Sequence, residues 1–202
     1  MLLLVVLATL AVQPGELIER TLAIVGGQAI TLSDVQAALS LNLLESPPDR
    51  ESIPAAAERL VQRTLVLREV ERYAPPEPPP TAVEERLTQL RGRFSTADQF
   101  ERALAAGGFT EARLRAWVRD DLRIAAYLDQ RFAAVGSPSD EDVRAFYAAR
   151  RAEFDRQQLT FEQAAPAIRE RLSGDRRDQL IADWLNDLRR RTTVVELWKN
   201  KP

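Results

Sequence analysis

The chain has 202 residues, of which 45% are apolar and 29% are charged, and its formal net charge is −2. This is the composition of a folded globular protein, and it lacks the broad positive field that a nucleic-acid partner would require. The chain contains no Cys and no His. Disulfides, thiolate chemistry, thiol metal sites and every mechanism that uses imidazole are therefore excluded, and we expect a protein without catalytic residues, metal or cofactor.

An apolar run at residues 2–12, interrupted only by Thr9, opens the chain. It is too short to cross a hydrocarbon layer, which needs about 20 residues, but it suits the core of a signal peptide that is cleaved near residues 9–11. No basic residue precedes the run, and a buried N-terminal strand or helix is the alternative. Because Pro14-Gly15 breaks the chain straight afterwards, we predict a leader over residues 1–13, cleaved or kept as an anchor, and a periplasmic or otherwise exported protein.

Residues 16–202 are predicted to form one mainly helical domain with short strands near both ends. The first two strands flank Gly26-Gly27, which supplies the positive φ angles of a tight hairpin turn. Apolar residues at helical spacing then predict seven helical segments. The predicted elements are a hairpin at 21–31, helices at 32–43 (stopped by Ser46-Pro47-Pro48), 54–73, 83–92, 96–106, 110–132, 139–154 and 161–190, and a strand at 192–197.

Three of these elements carry further expectations about packing. The helix at 54–73 is apolar over more than one stripe, which predicts a central place in the core. The last helix contains Pro166, where it should kink or restart, and Gly174, which is a second point of interruption. The β-branched strand at 192–197 most economically pairs with the N-terminal hairpin, so that residues 161–198 pack back on the start of the domain.

Two segments of unusual composition have both a structural and a functional interpretation. Residues 74–80 read Ala-Pro-Pro-Glu-Pro-Pro-Pro, which predicts a stiff polyproline connector between two helices; a ligand for a proline-binding partner is the alternative. Arg189-Arg190-Arg191 lies at a helix C-terminus, where cations suit the helix dipole, and a patch for an acidic partner or a membrane surface is the secondary interpretation. Otherwise membrane contact is expected only through an uncleaved leader.

Four segments in the same order resemble one known family. Residues 23–31, Ala-Ile-Val-Gly-Gly-Gln-Ala-Ile-Thr, are similar to the hairpin that opens SurA-like chaperones, with Gly26 in place of the usual Asn. Residues 100–122, 139–154 and 161–189 resemble the family segments that follow. The resemblance covers roughly Ile18 to Leu197. It implies the SurA N-terminal-like fold, related to the C-terminal part of trigger factor, and a periplasmic chaperone function.

The family usually carries a parvulin-type prolyl isomerase domain between the sixth helix and the last one. Here only residues 155–160 separate Phe154 from Phe161, and the chain lacks the histidines around which the parvulin site is built. The resemblance therefore implies a chaperone module without isomerase activity. A peptidyl-prolyl isomerase remains the least favoured alternative.

Aromatic residues after the proline-rich segment are the candidates for contact with unfolded clients. Core packing is the usual role of such residues, and the functional interpretation is that some of them line an apolar groove. The candidate client-binding residues are Phe94, Phe100, Phe109, Trp117 and Tyr127. The predicted function is an ATP-independent holdase for unfolded envelope proteins, including outer-membrane proteins. The alternative is a structural module that docks on one defined partner or forms a homodimer.

Overall fold

The computed structural model of the protein describes residues 19–44, 52–133 and 137–199. The leader predicted over residues 1–13, the Ser46-Pro47-Pro48 stop and Gly136 lie outside these ranges. Within them the fold is mainly α, with eight helices and three strands, which confirms the predicted class. The elements are β1 (Thr21–Val25), β2 (Gln28–Thr31), α1 (Leu32–Ser40), α2 (Ile53–Tyr73), α3 (Pro80–Arg91), α4 (Ala97–Ala106), α5 (Glu111–Arg131), α6 (Asp140–Ala149), α7 (Arg151–Arg156), α8 (Phe161–Arg191) and β3 (Val194–Glu196).

The small sheet joins the two ends of the described chain, as predicted. Gly26 and Gly27 have φ angles of +54° and +90°, which glycine adopts without a steric penalty, and they turn β1 back into the antiparallel β2. Arg68 of α2 lies against this turn and donates a hydrogen bond of 3.2 Å to the Gly26 carbonyl oxygen. β3 pairs antiparallel with the other edge of β1, which gives the strand order β2-β1-β3.

Hydroxyl caps explain where most of the helices begin. At the start of six helices, a Ser or Thr side chain accepts a hydrogen bond from a backbone N–H of the first turn, which satisfies one of the donors left free there. The capping residues are Thr31, Ser52, Thr96, Thr110, Ser139 and Thr160. In α1, α6 and α8 the third helical residue completes a capping box.

The main core surrounds α2, the helix predicted to be central. Val61 and Val70 of α2 are fully buried, as is Val25 of β1, and Trp184 and Leu188 of α8 complete the same cluster. A second cluster joins α1, α3, α4 and α5 through buried aliphatic and aromatic side chains. Its members are Ala37, Leu41, Val83, Leu87, Leu90, Phe100, Leu104, Phe109, Leu114 and Val118.

The long helix α8 connects the main core to a third cluster. It runs for 31 residues through Pro166 and Gly174, so the predicted restart at Pro166 and interruption at Gly174 are wrong. Both residues are exposed. Pro166 cannot donate to the carbonyl oxygen of Glu162, and because Glu162 is exposed as well, this loss falls on the solvent side of the helix. The N-terminal half of α8 packs Ile168 against Val143 and Tyr147 of α6, while its C-terminal half belongs to the main core.

Two predicted helix boundaries also differ from the structure. α1 ends at Ser40 and does not reach Leu43, because the chain turns through Asn42 in the left-handed region at a φ of +51°. Phe154 lies on the separate helix α7 instead of continuing α6. The turn between α6 and α7 lets the Phe154 ring stack on Tyr147 with a centroid distance of 4.9 Å.

The proline-rich segment connects α2 to α3, as predicted. Residues 74–79 are non-helical, and Pro80 is the first residue of α3, a position where its missing N–H costs no helical hydrogen bond. The connector is fastened to α5 through Glu77, whose carboxylate lies 3.4 Å from Nε of Arg123 and 3.8 Å from Nε of Arg119. These ion pairs hold the connector against α5, while the apolar side chains of α3 pack on α5 in the second cluster.

Candidate client-binding surface

The structure distributes the five predicted client-binding aromatics over two cores. Phe100, Phe109 and Tyr127 are buried, with 6%, 5% and 7% of their surface exposed, whereas Phe94 and Trp117 are half-buried. Phe100 and Phe109 belong to the second cluster, and Tyr127 belongs to the main core. Core packing therefore accounts for three of the five, and contact with clients stays a prediction that falls mainly on Phe94 and Trp117.

Phe94 and Phe100 line a shared apolar pocket of about 430 Å³. Their rings meet edge to face at a centroid distance of 5.5 Å, a favourable arrangement for two aromatic side chains. Leu104 forms part of the wall, and Arg91 and Glu111 line the same pocket as an ion pair of 2.6 Å. Phe94 and Phe100 are thus the only two of the five predicted aromatics that line this pocket.

Trp117 has one ring face covered by the protein itself. The Arg63 guanidinium carbon lies 3.7 Å from the centre of the indole, a distance typical of a cation–π contact. Arg63 also donates hydrogen bonds to the Asp121 carboxylate at 2.8 Å and to the Trp117 carbonyl oxygen at 3.2 Å. Trp117 therefore helps to fix α5 on α2, and the covered face is not open to a client.

Arg63 and Asp121 form an ion pair in a partly buried place. Burial raises the pKa of the Asp121 carboxyl, while the charge and hydrogen bond of Arg63 act in the opposite direction. The pair joins α2 to α5 across 58 residues of sequence. The opposite charges of Arg63 and Asp121 offset one another at the surface between α2 and α5.

This surface is an apolar groove of about 550 Å³ between α2 and α5, here called the α2–α5 groove. It is walled mainly by aliphatic side chains that are only partly buried, with charged residues at its margins. The lining residues are Leu43, Val66, Leu122, Ile124, Ala125 and Leu128, together with Arg63, Arg86 and Asp121. The Ala125 side chain is exposed, so the groove is accessible along α5.

The α2–α5 groove was not predicted from the sequence, because the candidate client-binding residues were all aromatic and no described residue that lines the groove is aromatic. The available signal was the width of the apolar face of α5, on which Leu122 and Leu128 accompany the residues that reach the core. Ile124 packs partly against the main core, and the exposed Ala125 extends the apolar face beyond the residues that contact the core. A helix whose apolar surface is wider than its buried stripe leaves part of that surface for another contact.

Within residues 19–44, 52–133 and 137–199, no cluster of three or more acidic, His or Cys side chains could hold a metal ion. None of the helices in that part of the chain has the length and apolar character needed for a membrane crossing. A scan of protein-family models and a search of curated proteins found no match to this chain.

Proposed function

We propose that this protein is an ATP-independent, exported chaperone module that holds unfolded or extended polypeptides in the α2–α5 groove, with a SurA N-terminal-like fold and no isomerase activity. The observation that carries the proposal is an accessible groove of about 550 Å³ lined by six aliphatic or alanine side chains. Binding clefts commonly have a volume in this range and a lining that is mainly apolar with a few polar groups.

The order of the elements also supports the proposal. A hairpin opens the domain, helices follow, and a long C-terminal helix leads into a strand that returns to the hairpin. This is the order implied by the family resemblance of the sequence. The short turn between α7 and α8 occupies the place where the family usually carries its isomerase domain, so the proposed activity is binding alone.

The groove should bind its clients weakly and reversibly. Burying one apolar side chain contributes about 1.5–3 kcal/mol, so a client that inserts about two or three gains roughly 3–9 kcal/mol before the costs of association. The remaining affinity corresponds to a Kd of about micromolar or weaker. A holdase that releases its client without ATP needs an affinity in this range.

A charge placed in the groove tests the proposal. Ala125 lines the groove and is exposed, and its neighbour Ala126 is exposed but does not line it. Ala125→Glu should weaken binding of an apolar peptide at least about tenfold, which is about 1.4 kcal/mol, because the carboxylate fills and polarises the groove. The variant should equally lose the ability to suppress aggregation of a denatured client.

Ala126→Glu is the matched control, since it makes the same change one residue further along the same helix. It should bind peptide and suppress aggregation like the unmodified protein, and both variants should unfold at closely similar temperatures. Equal peptide binding by the unmodified protein and both variants would contradict the claim that clients bind in the α2–α5 groove. Absence of any peptide binding by the unmodified protein would refute the chaperone function itself.

Cell fractionation tests the proposed export separately. Recovery of the protein from the cytoplasmic fraction of a Gram-negative host would contradict export.

A further inference from the structure

Within the part of the chain that the structure describes, the α2–α5 groove contains one charge that has no counter-ion. Arg63 and Asp121 at the groove are paired at 2.8 Å. Arg86 of α3 also lines the groove and is half-buried. Within the described part of the chain, its guanidinium donates a hydrogen bond of 3.3 Å to the neutral Gln89 side chain and makes no ion pair. Among the described residues, the groove therefore presents apolar walls and one positive charge that no ion pair offsets.

A guanidinium in such a place favours a particular kind of ligand. It carries several N–H donors in a planar fork that matches a carboxylate. Hydrogen bonds between two charged groups are shorter and stronger than those between neutral ones, and their strength rises as water is displaced. An apolar segment seated in the groove would displace water from around Arg86, and a carboxylate on that segment would supply the missing counter-ion.

We propose that the α2–α5 groove selects extended apolar segments that carry one acidic side chain, whose carboxylate pairs with Arg86. The inference rests on the proposed function and adds the chemistry of the preferred client to it. The carboxylate is assigned to a side chain within the segment because a holdase meets the interior of an unfolded chain far more often than its end.

Three short peptides distinguish recognition of a side-chain carboxylate from recognition of the carboxylate at a chain end. The first is an acetylated and amidated peptide of Leu and Val with one central Glu. The second replaces that Glu with Gln, and the third is the Gln peptide with a free C-terminal carboxylate. Fluorescence anisotropy should show that the Glu peptide binds about fivefold more tightly than the Gln peptide, the advantage expected of a partly exposed ion pair. Raising the ionic strength to about 1 M should remove most of that advantage.

Variants of Arg86 then show whether this residue causes the preference for the Glu peptide over the Gln peptide. Arg86→Gln should bind the Glu and Gln peptides equally, because the Glu peptide loses its ion pair, and Arg86→Lys should keep part of the preference. Arg102→Gln is the matched control, because Arg102 is an exposed cation on α4 that does not line the groove, and it should keep the full preference. Circular dichroism and thermal unfolding should show that all variants remain folded.

The outcomes separate this inference from the proposed function. Equal binding of the Glu and Gln peptides to the unmodified protein would overturn the role of Arg86 and leave the apolar groove intact. Preference for the third peptide alone would also overturn it, because the carboxylate would then be that of a chain end. Failure to bind any of the three peptides would refute the proposed function as well.

Discussion

Close packing of α4 on α1 makes Gly107 a sensitive test of the fold. Gly107 follows the last residue of α4 and has a φ of −87°, so its backbone suits any L residue. A Cβ at this position would lie 2.5 Å from the Cβ and 2.7 Å from the Cα of Ala37, which is fully buried in α1. Gly107→Ala therefore perturbs only the contact between the two helices.

The size of the effect follows from these distances. Carbon atoms in contact normally lie about 3.5–4.0 Å apart, so the added methyl group overlaps Ala37 by about 1 Å. One of the clashing atoms is backbone, and a rotamer change cannot relieve it. Overpacking typically costs about 1–3 kcal/mol, and we expect about 2–3 kcal/mol here. The midpoint of thermal unfolding should fall by roughly 5–10 °C for a protein of this size.

Equilibrium unfolding in urea, followed by circular dichroism, measures the loss directly. Gly92→Ala is the control, because a Cβ at Gly92 would have its nearest contact at 3.4 Å, with the Thr88 carbonyl oxygen. In the double variant, Ala37→Gly removes the nearer of the two clashing atoms and should recover part of the loss. A change below about 0.5 kcal/mol for Gly107→Ala, within the range of neutral surface substitutions, would refute the described packing of α4 on α1.

Two further predictions concern α8 and α6. Gly174→Ala should stabilise the protein by about 1 kcal/mol in urea unfolding, because a Cβ there meets nothing within 4 Å and Ala is the better helix former; destabilisation would mean that α8 is not continuous at this point. Hydrogen bonds from the Ser139 side chain and backbone, and from Arg176, lower the pKa of Asp142 below its ordinary 3.8. Its contribution to stability is therefore complete above that value and is lost as the pH falls through the lower folded-state pKa. The difference in unfolding free energy between the unmodified protein and Asp142→Asn should shrink in that acidic range, and a difference that grows there would contradict the assignment.

Local chemistry explains why much of the fold could be predicted. Gly26-Gly27 requires a tight turn, and the capping residues Thr31 and Ser139 mark helix starts through contacts with residues only three positions away. Such signals lie within one short stretch of sequence. Continuity of α8 was harder to predict because it depends on which side of the helix faces solvent, and Pro166 is tolerated at its exposed position.

The candidate site depends on contacts that are remote in sequence. Arg63 and Asp121 are 58 residues apart, and their pairing cannot be derived from either segment alone. The sequence shows that residues 100, 109 and 127 are aromatic, but only the packing of the helices shows that Phe100, Phe109 and Tyr127 are buried. The α2–α5 groove arises in the same way, because its walls come from three helices and the chain after α1.

Photo-crosslinking is the most direct test of the claim that the α2–α5 groove holds extended polypeptide. An apolar peptide with a central photo-reactive side chain would be irradiated with the protein, and the attached residues would be identified by mass spectrometry. We predict attachment to the groove, centred on Leu122, Ala125 and Leu128, and its suppression by Ala125→Glu but not by Ala126→Glu. Attachment concentrated at Phe94 and the pocket beside it, or spread evenly over the surface, would contradict this assignment.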